Sequence, residues 1–260
     1  MERKNNPIEK EWFHLIKQEE KFSASRMKSK PEILNDKLNR YIPEKLRNTL
    51  DSAFNKAFEI IFIKGTGLIG KTFNREGYEY DYKVKEYALG LRNSRKNIRK
   101  FSKKAGAVKN TNIIVSGISG VGMGILGVGV PDIPVFTCMM LRSIYEIAMS
   151  FGFDYDKIEE KLFILKLIEV SMKYGVYFTD ANAELNILID KKESINVSLE
   201  KQIRLTSKAL ADAMVYMKFL QGIPIVGAVG GSYDFIYMNC ISTYAMLKYK
   251  RRFIVKKIDF

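Results

Sequence analysis

Two stretches of this chain carry no charge and very little side-chain bulk, and they constrain how the rest can pack. Asn110 to Pro131 holds Gly117, Gly120, Gly122, Gly124, Gly127 and Gly129. Gly222 to Gly231 holds Gly222, Gly227, Gly230 and Gly231, with Pro224 among them. Glycine removes side chains from a helix face, so two backbones can approach closely. Each stretch runs into an aspartate, Asp132 or Asp234, and then into a long apolar helix. The similarity reads either as a weak internal repeat or as two solutions to one packing problem; two copies do not make a solenoid.

The flanking sequence has helical periodicity. Pro43 opens a helix in which Leu46, Leu50, Ala53, Ala57, Phe58 and Ile61 recur three and four residues apart. Pro7 to Phe22 is amphipathic, and a short helix is expected from Pro31 to Arg40. Thr66 to Tyr82 reads as irregular, with tyrosines at 78, 80 and 82. Lys83 to Val108 reads as one helix with Leu91, Ile98, Phe101, Ala105 and Val108 on a buried face. Further helices are expected over Val135–Phe151 with Gly152 as its cap, from Asp154 or Asp156 to Tyr174, over Ser198–Leu220, and over Phe235–Tyr249. Only 6 prolines interrupt 260 residues. No strands alternate with helices. The expected fold is all-α: a multi-helix bundle with the two glycine-rich segments packed centrally, made of an N-terminal helical extension over 1–42 and a helical domain over 43–260.

Three stretches together are similar to the EcsC family. They are Gly127-Val-Gly-Val-Pro-Asp-Ile-Pro134 with the helix from Leu141 to Gly152, Ile223-Pro-Ile-Val-Gly-Ala-Val-Gly-Gly231, and the basic end at Arg251-Arg-Phe253. The likeness covers most of the chain from Pro43. It implies an intracellular protein whose namesake is encoded beside an ABC transporter, and it brings no catalytic residues with it.

Charge points toward an anionic partner, because the net formal charge is +14. Arg92, Arg95, Lys96, Arg99, Lys100, Lys103 and Lys104 cluster without an acid among them, just before the first glycine-rich segment. Lys248, Lys250, Arg251 and Arg252 follow the last apolar helix. Basic clusters beside apolar segments suit the acidic inner leaflet of a membrane. Nucleic acid fits less well, since Phe101 alone interleaves with the cations and its phase is that of the buried stripe. A mean hydropathy of −0.14 excludes a polytopic membrane protein, and no apolar signal follows the N-terminus. The expected role is a non-catalytic cytoplasmic accessory protein, peripheral to the membrane, with an ABC transporter as partner. The glycine-rich segments themselves fit three settings: a hairpin buried in the protein, a segment in or on the bilayer, or a phosphate cradle.

One motif competes with this reading. Gly65-Thr-Gly-Leu-Ile-Gly70-Lys71-Thr72 matches the phosphate-binding pattern G-x-x-x-x-G-K-[ST] letter for letter. That pattern works when it follows a strand and opens a helix. The periodicity before Gly65 is helical, so a helix C-cap and loop is the expected structure, with Ile187-Leu-Ile-Asp190 as the only companion a nucleotide site would have. Asp132 reads as a helix cap next to Pro134; alternatively Asp132 and Asp234 form a carboxylate pair. The sole histidine, His14, lies on a charged stretch and reads as a surface residue. Cys138 and Cys240 read as buried thiols. Neither metal-ligand spacing nor a cofactor motif is present.

Overall fold

The computed structural model describes residues 6–28, 43–64, 67–115, 132–220 and 230–258. Every regular element among them is a helix. Most of both glycine-rich segments, residues 116–131 and 222–229 with Gly117, Gly120, Gly124, Gly127 and Gly227, lies outside the described residues, as does the helix expected over 31–40. Gly230 and Gly231 form the first turn of the last helix.

Helix α1 (Pro7–Lys28) starts where the Asn6 side chain accepts the Ile8 N–H at 3.0 Å. Its inward stripe is Ile8, Glu11, Leu15, Glu19, Phe22 and Arg26. Charged and apolar residues alternate along that stripe, so α1 places acids inside the molecule. Helix α2 (Glu44–Lys64) buries Leu50, Ala53, Phe54, Ala57, Phe58, Ile61 and Phe62, an ordinary amphipathic face.

The stretch expected to be irregular is mostly helical. A single turn, α3 (Gly67–Gly70), is followed by α4 (Arg75–Leu91). Asn74 caps α4 by accepting the Gly77 N–H at 2.9 Å. The expected continuous helix over Lys83–Val108 is broken at residues 92–94, after which α5 (Arg95–Val115) begins. The break has a local cause. The Ser94 hydroxyl accepts the Asn97 N–H, while the Asn97 amide donates to the carbonyls of Ala88 and Arg92, sealing the end of α4. The break also changes the phase, so Leu91, expected on the buried face, is exposed. Ile98, Phe101 and Ala105 are buried as expected.

The remaining helices are α6 (Asp132–Ser150), α7 (Ile158–Met172), α8 (Gly175–Lys191), α9 (Leu199–Leu220) and α10 (Gly230–Ile258). Helix α9 packs across α2 and α7. Helix α6 is flanked by α2, α3, α4, α5 and α10. Helix α10 is the axis, touching α1, α5, α6, α7 and α8. At 29 residues it extends about 43 Å, and apolar side chains on every side of it are buried, from Tyr237 and Met238 to Phe253 and Val255. A helix apolar all round belongs inside. Because α1 contributes Ile8 and Leu15 to this same core, the described part of the N-terminal stretch is continuous with the rest. Asp132 is the first residue of α6; its side chain and that of Asp234 lie outside the described set, and with them the cap and the carboxylate pair. Pro134 is buried in the first turn of α6.

Gly152 ends α6 as expected. Its φ is +80°, and the N–H groups of Gly152 and Phe153 return to the carbonyls of Met149 and Ala148. A Cβ at this position would sit 2.3 Å from the Tyr82 ring. The glycine therefore serves both the reversal and the docking of α4. Gly152→Ala combines a left-handed strain with a steric clash and is expected to cost about 2–4 kcal/mol; urea denaturation of the two chains measures it.

Candidate functional site

The basic end of α10 is not a surface. The helix continues to Ile258 rather than stopping near Tyr249, so Lys248, Lys250 and Arg251 fall within its enclosed part and are buried. Carboxylates from α1 and α8 meet them, and one from α7 meets the neighbouring Arg252. Lys248 Nζ donates to Glu19 Oε1 of α1 at 2.7 Å and to Asn186 Oδ1 of α8 at 2.7 Å. Arg251 reaches Glu19 Oε2 at 2.6 Å, grips both oxygens of Asp190 on α8, and stacks over Trp12 at 4.7 Å. Arg252 meets Glu160 Oε1 of α7 at 2.6 Å, an oxygen that also accepts the Tyr249 hydroxyl at 2.6 Å. Its guanidinium lies between the rings of Phe153 and Phe163, at 4.1 and 4.0 Å. The expectation that these four cations face an anionic surface gives way to an internal clamp.

Lys250 belongs to a second group. Its ammonium meets Glu11 Oε2 at 3.2 Å, while Arg95 and Arg99 of α5 both bind Glu11 Oε1, at 2.9 and 2.8 Å. Burial alone would raise the Glu11 carboxyl, but Arg95, Lys250 and Arg99 outweigh it and hold it below the ordinary carboxylate value. His14 is exposed, as expected, beside this group.

The remaining cations of α5 divide by face. Lys104 lies over the Tyr78 ring at 4.9 Å. Arg92, Lys96, Lys100 and Lys103 are exposed and form no ion pair among the described residues. Adjoining them is a surface that the sequence did not reveal. Helix α4 turns Tyr78, Tyr82 and Leu89 inward and Tyr80, Val84, Tyr87 and Leu91 outward, with the outward four 73%, 48%, 71% and 72% exposed. Spaced four, three and four residues apart, they form one apolar stripe on solvent. Its end at Leu91 runs directly into Arg92, in the break just before the α5 cations. The 2-residue offset within the tyrosine cluster was the available signal, since it puts Tyr80 opposite its neighbours once the segment is a helix.

The apparent phosphate-binding motif has another explanation. The element before it is α2, a helix, and no strand occurs among the described residues. Gly65 and Thr66 lie outside those residues. Gly70 is small because the Tyr155 hydroxyl would sit 2.8 Å from a Cβ there. Lys71 is exposed, and the Thr72 hydroxyl donates to the Ile69 carbonyl at 2.7 Å. Asp190 is engaged by Arg251. Among the described residues here, the strand that a nucleotide loop follows does not occur.

The clamp has a pH signature. Burial pushes Lys248 down to about 8, against the pull of Glu19. Between about 8 and its ordinary 10.5, the unfolded chain holds a proton that the folded chain has released, so stability rises with pH in that window. Urea midpoints are expected to climb from about pH 7.5 to about pH 9.5, below the ionisation of unfolded tyrosines. Lys248→Met flattens part of that climb. Glu19→Ala strands two buried cations and is expected to cost about 3–5 kcal/mol in the same measurement.

The EcsC protein family model matches residues 9–254. Among curated proteins, Protein EcsC of Bacillus subtilis (strain 168) is 23% identical over 223 residues, covering 85% of this chain and 83% of that one. The Uncharacterized protein YdbA of the same organism is 26% identical over 129 residues, so the chain spans about half of that relative, 47%, and the match takes in 49% of the chain. No solved structure matches. With almost the whole helical core inside the matched range, the chain belongs to the EcsC protein family.

Proposed function

We propose that this protein is a non-catalytic, peripheral accessory protein that rests on the acidic cytoplasmic face of a membrane through α4 and the start of α5. The observation that carries this reading is the junction of two exposed features: the Tyr80–Val84–Tyr87–Leu91 stripe and the unpaired cations Arg92, Lys96, Lys100 and Lys103. Aromatic side chains with a polar tip favour the headgroup level of a bilayer, and cations beside them favour acidic lipid. A soluble monomer seldom leaves a continuous apolar stripe on solvent without a use for it. No helix among the described residues is long and apolar enough to cross a membrane, which accords with attachment from one side. The transporter partner implied by the family resemblance enters as the kind of protein such an accessory meets at that surface.

Vesicle flotation tests the reading. The protein is expected to float with vesicles containing phosphatidylserine at low salt and to stay behind with neutral vesicles. Replacing Arg92, Lys96 and Lys100 by Gln removes about 1 kcal/mol per charge, or roughly a hundredfold in affinity. Tyr87→Ser with Leu91→Ser weakens the part of binding that survives high salt. A wild-type chain that ignores acidic vesicles at low salt removes the proposal.

A further inference from the structure

Where α1, α5 and α10 converge, positive charge exceeds what the protein itself neutralises. A cleft of about 300 Å³ opens there, at the lower end of the size range of small-molecule sites. Its walls include His14, Arg99, Ser102, Lys103 and Lys250, and Glu11 is the one acid lining it among the described residues. Arg95 shares that same carboxylate from outside the lining. Four cations, Arg95, Arg99, Lys103 and Lys250, thus face one carboxylate, leaving an excess of three positive charges. Lys250 is buried among them.

Two details indicate what would complete the group. Arg99 commits only its Nε to Glu11, so its two Nη donors remain available on a side chain that is half exposed. The Ser102 hydroxyl is shielded from water and has no hydrogen-bond partner. A phosphomonoester accepts from a guanidinium, an ammonium and a hydroxyl at once and carries about two charges, which fits these donors. We propose that this cleft binds a phosphomonoester dianion, held by Arg99, Lys103 and Lys250 with Ser102 as the neutral donor. The charge imbalance also registers on the bystanders. Burial, then Lys250, moves the His14 imidazole below its ordinary value, with Arg99 and Arg95 adding to the effect against Glu11. Burial lowers Lys250 as well, and Arg99 and Arg95 lower it further against Glu11.

This site shares only Lys103 with the proposed membrane surface, whose other residues, Tyr80, Val84, Tyr87, Leu91, Arg92, Lys96 and Lys100, do not line the cleft. The source of the phosphomonoester, free in solution or on a lipid headgroup, is what the test separates. His14 is the chain's 1 histidine, so its ring protons give an unambiguous proton NMR signal. Titration of that signal with pH is compared in buffer alone, with millimolar inorganic phosphate, with phosphatidic-acid vesicles and with phosphatidylserine vesicles. A phosphate-dependent upward shift of the His14 titration supports a site open to free phosphate. A shift with phosphatidic-acid vesicles alone supports a lipid headgroup. Arg99→Gln is expected to weaken the response about tenfold or more. The triple Gln replacement of Arg92, Lys96 and Lys100 leaves it intact, because those side chains do not line the cleft. An unchanged His14 titration in every arm overturns the site. So does an equal shift with phosphatidylserine, which lacks the dianion, or a response that fails in the triple variant and persists in Arg99→Gln. Loss of vesicle flotation with the phosphate response retained removes only the membrane reading.

Discussion

The pairing of α1 carboxylates with α10 cations is the constraint on which the rest of the molecule depends. A helix enclosed by so many others leaves little room for charge, yet α10 carries Lys248, Lys250 and Arg251 in its enclosed part. Desolvating them is expensive unless each meets an opposite charge with good hydrogen-bond geometry. Glu11 and Glu19, two turns apart on α1, supply those partners from one side, while Asp190 and Glu160 supply them from α8 and α7. Apolar packing between α1 and α10 tolerates a sliding of one helix along the other. The ion pairs do not, because a shift of one turn strands a buried charge. Core packing provides most of the gross stability, and the clamp fixes the register in which that core assembles.

Two consequences for the surface follow. Cations drawn inward at α10 no longer contribute to an external field, so the exterior charge that matters lies on α5. There the distribution is uneven. Glu11 engages Arg95 and Arg99 on the side facing α1, the adjacent side keeps Lys96 and Lys100 in water, and Arg92 is exposed just before the helix. The same helix therefore takes part in the interior network, the cleft and the proposed membrane face, with Arg99 shared by the first two and Lys103 by the last two.

The helical fold was legible because apolar residues recur at three and four through most of the chain, and the family resemblance was legible in the stretches around Pro134, Gly227 and Arg251. The burial of Lys248 to Arg251 was not. A cluster of cations at the end of an apolar run looks the same whether the helix stops or continues, and only the acids of α1, more than 200 residues away in sequence, decide the matter. Leu91 was misplaced for a related reason. Its phase agrees with Ile98 and Phe101 if the helix is unbroken, and the break rests on side-chain bonds of Ser94 and Asn97 that leave no trace in hydropathy. The letter match at Gly65–Thr72 shows the converse, a pattern that spacing produces without its fold. Gly70 is explained by the bulk of Tyr155, a neighbour no local reading contains.

The clamp joins positions 229 and 239 residues apart, nearly the full length of the chain. During synthesis, α1 leaves the ribosome long before α10. For most of translation the acids at 11 and 19 stay in water, since the cations that draw them inward have not yet been made. The core can close around its axis only after α10 emerges, so folding of these helices waits for that element rather than proceeding alongside the synthesis of the helices before it.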